Sequence, residues 1–123
     1  MERYIIDDTL INDHAEGLKL GFIVAAKNAS EKELKEMILY VDTKDNLFGE
    51  IEKLLKTSAV KKLRKEGYSY MNEVKLGIRL LTQRTFSLTT INNLVLAAFT
   101  SEESLSVLDD KRQYISSVVV VPW

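Results

Sequence analysis

Polar side chains follow three apolar runs of the sequence, at 20–26, 94–99 and 114–121, where strands of a sheet could bring them together. The candidate ligand-binding residues are Lys27, Asn28, Ser30, Thr100, Ser101 and Trp123. In an open parallel sheet, ligands bind beyond the carboxyl ends of the strands. Helices starting there would offer free N–H groups to an anion. These residues predict a site for a small phosphate or carboxylate, and the simpler alternative is that the hydroxyls only cap helices while Trp123 closes the core.

Acidic residues suggest a second kind of chemistry. Asp7 and Asp8 follow a short apolar segment, and Asp42 and Asp45 flank Thr43-Lys44. Carboxylates at strand ends can hold Mg²⁺, which prefers oxygen ligands. The alternative hypothesis is therefore a metal-assisted phosphoesterase or nuclease that uses Asp7, Asp8 and Asp42. Turn carboxylates exposed to water would explain the same residues without any metal.

Several other site types lack the residues they need. The chain has no cysteine, which excludes disulfides, thiolate metal sites and cysteine nucleophiles. Its one histidine, His14, leaves too few ligands for a zinc site. The five glycines are scattered and form no phosphate-binding loop of the Rossmann or Walker type. The sequence indicates no particular cofactor and leaves open whether the protein is an enzyme.

Three apolar runs predict strands of a sheet that is covered on both faces. They are 20–26, 94–99 and 114–121, and the last contains four consecutive valines. A hydroxyl followed three residues later by a glutamate comes after each of the first two, at Ser30 and Thr100, and predicts the start of a helix. After Ser30, apolar residues recur at helical spacing over 34–41 and predict the buried side of that helix. The segment from 94 to 121 therefore predicts a strand, a crossover helix and a parallel neighbouring strand.

The segment between these units predicts two helices and a strand. Apolar residues recur at helical spacing from Leu47 to Leu55 and again around Val60 and Leu63, and Gly67 is typical of a helix end. Apolar and polar residues then alternate over Val74–Leu80, which predicts a strand with one face exposed to water, at or near the edge of the sheet. An exposed edge is a template for pairing, so this strand is a candidate homodimer interface.

Length and composition predict one α/β domain over residues 1–123. The expected architecture is a three-layer sandwich in which helices flank a mostly parallel, mixed and Rossmann-like sheet. The apolar fraction of 46% and charged fraction of 28% are ordinary for a globular protein. The absence of a long apolar segment or a leader-like N-terminus favours a cytoplasmic protein without a membrane partner.

Charge argues against a dedicated nucleic-acid binder. The formal net charge is −1, whereas such proteins usually carry a basic excess. Six basic residues do cluster between positions 53 and 65, but glutamates interrupt them and the run fits the solvated face of a helix. The leading hypothesis is a noncatalytic binding or oligomerisation module for a small anionic ligand or a protein partner.

Overall fold

The computed structural model describes residues 1–7 and 13–123, which contain six strands and four α-helices. The strands are β1 Glu2–Ile5, β2 Glu36–Val41, β3 Tyr68–Met71, β4 Leu76–Thr82, β5 Asn93–Ala98 and β6 Ile115–Val121. The helices are α1 His14–Glu31, α2 Glu50–Leu55, α3 Thr57–Glu66 and α4 Glu102–Asp110. Single turns of 3-10 helix lie at Lys44–Leu47 and Arg112–Tyr114.

All six strands belong to one sheet with the order β1-β6-β5-β2-β4-β3. Neighbouring strands are parallel except for β3, which runs antiparallel to β4. Buried side chains of α1, α2 and α3 join a large apolar cluster on one face of the sheet, and Leu108 of α4 joins a smaller cluster on the other. The predicted α/β class with a mostly parallel, mixed sheet between helices is confirmed.

The predicted strand–helix–strand unit at the end of the chain is also confirmed. β5 and β6 are parallel neighbours, and α4 lies between them in sequence. Continuous apolar runs identified both strands because each is covered on both faces: Val119 and Val121 join the large cluster while Val118 joins the small one. The helical periodicities before Gly67 are confirmed as α2 and α3, and Gly67 ends α3 with a φ of 73°.

The prediction of a strand over 20–26 is wrong, because these residues lie within the 18-residue helix α1. A short apolar run does not distinguish a buried strand from one side of a helix. The helix ends with Glu33 at a φ of 57°, while Leu34 N–H bonds Ala29 O and Glu33 N–H bonds Ser30 O. This pair of bonds is a Schellman motif. Ser30 therefore lies in the last turn of a helix instead of capping the first.

The predicted helix over 34–41 is wrong as well, because its C-terminal part forms β2. Met37, Leu39 and Val41 join the large cluster, and Ile38 and Tyr40 join the small one. A central strand buried on both faces loses the alternation that marks a strand at the surface. The apolar spacing that fitted a helix thus comes from a doubly covered strand.

The strand predicted over Val74–Leu80 exists as β4 near the edge of the sheet, but it is not the edge strand that the predicted dimer interface requires. β4 lies between β2 and β3. Its polar alternation arises because Arg79 is exposed on one face of the sheet, where it pairs with Glu36 at 3.0 Å and the ring of Tyr68 lies against Gly77. The strand is paired on both sides, so it cannot provide the proposed dimer interface.

Candidate functional site

A network of polar groups joins the carboxyl ends of β2 and β5, which are parallel neighbours. Asp42 follows β2 directly, and its carboxylate accepts hydrogen bonds from Ser101 N–H at 3.0 Å and from Ser101 Oγ at 3.2 Å. Ser104 Oγ also donates to Asp42, and Ser104 Oγ lies 3.0 Å from the amide oxygen of Gln83. From below, buried Tyr40 donates its hydroxyl hydrogen to Ser104 O at 2.9 Å.

The network determines the charge state of Asp42. Burial raises the pKa of this carboxyl, but the hydrogen bonds from Ser104 and Ser101 favour the charged form more strongly and bring its pKa below the usual value. Asp42 is therefore an anion at neutral pH. The local sequence also positions the two serines that bind Asp42, because Ser101 is the N-cap of α4 and accepts a hydrogen bond from Ser104 N–H.

This arrangement bears on the predicted anion site. The positive end of α4 and the Ser101 N–H, which could attract a phosphate, already face the Asp42 carboxylate. An external anion at this point would meet a negative charge within the same network. The start of α4 thus holds an anion of the chain itself.

A cleft of about 490 Å³ opens beside the network at the same edge of the sheet. Its carboxylates come from Asp42, Asp45 and Glu50, and no lysine or arginine is among the described residues that line it. Phe48 and Trp123 contribute exposed aromatic surface, with 51% and 69% of each residue accessible. The remaining lining residues are Asn46, Gly49, Phe99, Thr100 and Ser101.

The carboxylates of the cleft differ in how much they are already paired. Asp45 is exposed and lies 3.5 Å from Arg64, whereas the Glu50 side chain is largely buried and lies 3.4 Å from exposed Lys53. Arg64 also lies over the ring of Phe48, 4.5 Å from its centroid. Neither Arg64 nor Lys53 is among the described residues that line the cleft, so the lining itself is acidic. A cation or a hydrogen-bond donor is the chemistry that such a lining favours.

Aromatic rings form one wall of the cleft. His14, at the start of α1, stacks on Trp123 with ring centroids 3.9 Å apart, and Phe99 meets Trp123 edge to face at 4.8 Å. Phe99 has a φ of 55°, a left-handed conformation that is rare for a bulky residue. The turn directs the chain from β5 into α4 and leaves Thr100 Oγ1 buried without a hydrogen-bond partner in the described residues.

The structure separates the predicted ligand-binding residues into two groups. Thr100, Ser101 and Trp123 line the cleft, as the edge rule for parallel sheets predicted. The other group, Lys27, Asn28 and Ser30, lies near the C-terminal end of α1, at the opposite side of the sheet, where the parallel strands begin. There the Asn28 amide bonds the Tyr4 hydroxyl at 3.3 Å, and Lys32 pairs with Glu2 at the start of β1.

The acidic residues of the metal hypothesis are also apart. Asp7 follows β1 and Asp42 follows β2, and two strands lie between them in the sheet. Three strand spacings amount to about 14 Å, too far for one ion to be held by both carboxylates. Asp8 lies outside the described residues. No group of three histidine or acidic side chains arranged to hold a metal occurs in residues 1–7 and 13–123.

The sequence analysis missed Phe48 and Glu50 as residues of the cleft, and it considered Asp45 only beside Asp42, as a carboxylate that could hold a metal. Asp45 and Phe48 lie between β2 and α2, and Glu50 is the first residue of α2, so all three come soon after the carboxyl end of a strand. Recognising 36–41 as a strand would have placed them at the ligand-binding edge by the same rule that selected Thr100 and Ser101.

The chain matches no protein-family model, and no curated protein or solved structure matches it either. No helix in the described part of the chain is long and apolar enough to cross a membrane.

Proposed function

We propose that the protein is a noncatalytic binding module whose cleft takes a small organic cation with a flat apolar part. The observation that carries this proposal is the lining of the cleft, which combines three carboxylates with two exposed aromatic rings and, among the described residues, contains no lysine or arginine. An ammonium group is attracted both by carboxylates and by the face of an aromatic ring. The cleft's volume falls in the range of small-molecule sites.

The proposed ligand is a cation, whereas the sequence suggests an anionic ligand. The helix end that favoured an anion faces Asp42, and Lys27 lies at the other edge of the sheet. The buried and unpaired Thr100 Oγ1 next to the cleft adds a polar group that a ligand hydroxyl or a bridging water could satisfy.

Trp123 makes the proposal directly testable, because it is the only tryptophan of the chain and forms one wall of the cleft. Tyramine and 3-(4-hydroxyphenyl)propionate share a phenol ring but differ in charge, and neither obscures indole fluorescence excited at about 295 nm. We expect tyramine to change the Trp123 emission saturably and the propionate to have no effect. Preference for the propionate, or no response to either, would contradict the proposal.

Matched variants locate the binding. Asp45→Asn and Glu50→Gln each remove one negative charge from the cleft, and we expect each to weaken tyramine binding several-fold. Lys27→Ala changes a residue at the opposite edge and should leave binding unchanged. Thermal melts with and without Mg²⁺ or Mn²⁺ examine the phosphoesterase alternative, which requires an ion-induced rise in melting temperature that Asp42→Asn abolishes.

A further inference from the structure

β3 forms one edge of the sheet and carries unpaired backbone groups on its outer side. Gly67 and Leu80 are a hydrogen-bonded pair, with Leu80 N–H bonding Gly67 O at 2.9 Å. Bonded and non-bonded pairs alternate along an antiparallel ladder. In the observed register, Tyr68 opposite Arg79 and Tyr70 opposite Gly77 are therefore non-bonded pairs. Their N–H and C=O groups point away from β4, and no turn, loop or cap in the described residues bonds them.

A groove of about 410 Å³ runs beside this edge, between β3 and the junction of α2 with α3. Ser69 and Met71 of β3 point toward the helices, because Ser69 is buried and Met71 packs on the large apolar cluster. Tyr68 and Tyr70 point to the opposite face. The groove therefore lies where every second side chain of an added strand would project.

Lysine side chains give the groove its charge. Lys56 and Lys62 line it, opposed by Glu73 alone, and the ion pairs within the described residues leave both lysines uncompensated. The rest of its wall is polar or apolar, with Leu54 and Ala59 on the helix side. An extended segment with acidic side chains on one face would complement this lining.

The backbone at Lys56 is strained in a way that places this lysine at the groove. Its φ of 77° and ψ of 157° fall in a region that is almost exclusive to glycine. A glycine would join α2 to α3 without that strain. The chain instead has a cation at this position, directly before the first turn of α3 and next to the open edge of β3.

Charge also decides between the possible occupants of the edge. A second copy of the chain that paired β3 with β3 about a two-fold axis would bring four lysines, Lys56 and Lys62 from each copy, toward one junction. Like charges across an interface disfavour that pairing. An acidic strand from another protein meets no such repulsion and gains both backbone bonds and ion pairs.

We propose that β3 and its groove form a docking surface for an extended acidic peptide, which adds a seventh strand to the sheet by pairing with Tyr68 and Tyr70. This is recognition by strand addition, in which main-chain bonds supply affinity and alternate side chains supply specificity. The peptide's acidic residues lie between Lys56 and Lys62, and its apolar residues lie beside the exposed ring of Tyr70. The surface is separate from the cleft at the ends of β2 and β5.

The test uses a fluorescein-labelled peptide of alternating glutamate and valine, measured by fluorescence anisotropy with the full chain. Two peptides serve as controls: one replaces glutamate with lysine, and one carries N-methyl groups on alternate backbone nitrogens. We expect saturable binding of the glutamate peptide alone. Binding of the lysine or the methylated peptide with equal affinity, or no binding of the glutamate peptide, overturns the proposal.

Variants separate this surface from general attraction to basic residues. Lys56→Gly and Lys62→Gln should each weaken binding by up to about fivefold, the range for an exposed ion pair. Lys65→Gln removes an equal charge from α3 outside the groove and should leave the affinity unchanged. Equal losses for all three variants overturn the site. Sedimentation of the free protein tests whether a second copy of the chain occupies this edge. A dimer that is lost when pairing at β3 is blocked would make the second copy the occupant.

Discussion

Ser104, in the first turn of α4, donates its hydroxyl hydrogen to the carboxylate of Asp42, which lies 62 positions earlier at the end of β2. Ser101 N–H and Ser101 Oγ bond the same carboxylate. The Asp42 side chain thus joins β2, a central strand of the sheet, to α4, the helix that follows the neighbouring strand β5. The relationship gives Asp42 a structural role that can be measured apart from any ligand.

We expect Asp42→Ala to lower the free energy of unfolding by about 3 kcal/mol, because it removes charged hydrogen bonds and leaves three donors on Ser101 and Ser104 without their acceptor. Asp42→Asn keeps an acceptor oxygen and should cost about 1 kcal/mol. Urea denaturation measures both values. Asp45→Ala is the matched control: its side chain is 86% exposed, so its effect should stay within about 0.5 kcal/mol. A loss for Asp42→Ala no larger than this control would contradict the assigned role.

The same network predicts how stability depends on pH. The pKa of Asp42 is lower in the folded protein than the usual 3.8. A carboxyl with a depressed folded pKa stabilises the fold fully above its unfolded pKa, and that contribution is lost as the pH falls through the folded value. We therefore expect the urea midpoint to fall on acidification from about pH 5 to pH 3.

Two variants assign that acid sensitivity to its groups. Glu2 has a lowered pKa too, chiefly because of its hydrogen bond with Lys32, so it acts in the same direction. We expect Asp42→Asn to flatten the pH dependence more than Glu2→Gln does, because the Asp42 bonds are partly buried while Glu2 is exposed. A pH profile for Asp42→Asn that parallels that of the unmodified protein would show that its carboxyl does not control acid stability.

The elements from α2 onwards, apart from β3, followed from local signals, whereas α1 and β2 did not. β5, α4 and β6 were predictable because each apolar run ends at a hydroxyl or a turn that is visible in the sequence. In the first half the decisive turn is Glu33, which ends α1 in a left-handed conformation more often taken by glycine. Without that stop, 20–26 and 34–41 exchanged their strand and helix assignments.

The candidate site was recovered only where the strands were. Thr100, Ser101 and Trp123 line the cleft because β5 and β6 were recognised, and Lys27 was placed there because part of α1 was taken for a strand. The contact of Asp42 with Ser104 depends on β2 lying beside β5, and strand order is a property of the whole sheet that no local pattern encodes.

Gly21 of α1 packs closely against Val121 of β6, and its substitution should be costly. A Cβ at this position would overlap Val121 Cγ2, whereas a Cβ at Gly17, one turn earlier, would meet Val121 Cγ1 at an ordinary 3.8 Å. We expect Gly21→Ala to destabilise the fold by about 1–3 kcal/mol through overpacking. Gly17→Ala should be neutral or stabilise by up to about 1 kcal/mol, since alanine favours helix. Urea midpoints at constant slope measure both, and equal effects would show that α1 can move away from the sheet.

Lys56 offers the opposite case, a residue whose removal should stabilise the protein. Its φ of 77° and ψ of 157° favour glycine strongly. We expect Lys56→Gly to raise the free energy of unfolding by about 1 kcal/mol or more, because relief of strain exceeds the entropy that glycine adds to the unfolded chain. Lys53→Gly, inside α2, is the control and should cost about 1 kcal/mol. Chemical denaturation of the two variants decides the matter: a loss of stability for Lys56→Gly comparable to that of Lys53→Gly would mean that the lysine backbone is not strained in solution. A gain in stability together with weaker binding of the acidic peptide would show that the chain retains this cation at the expense of its own stability.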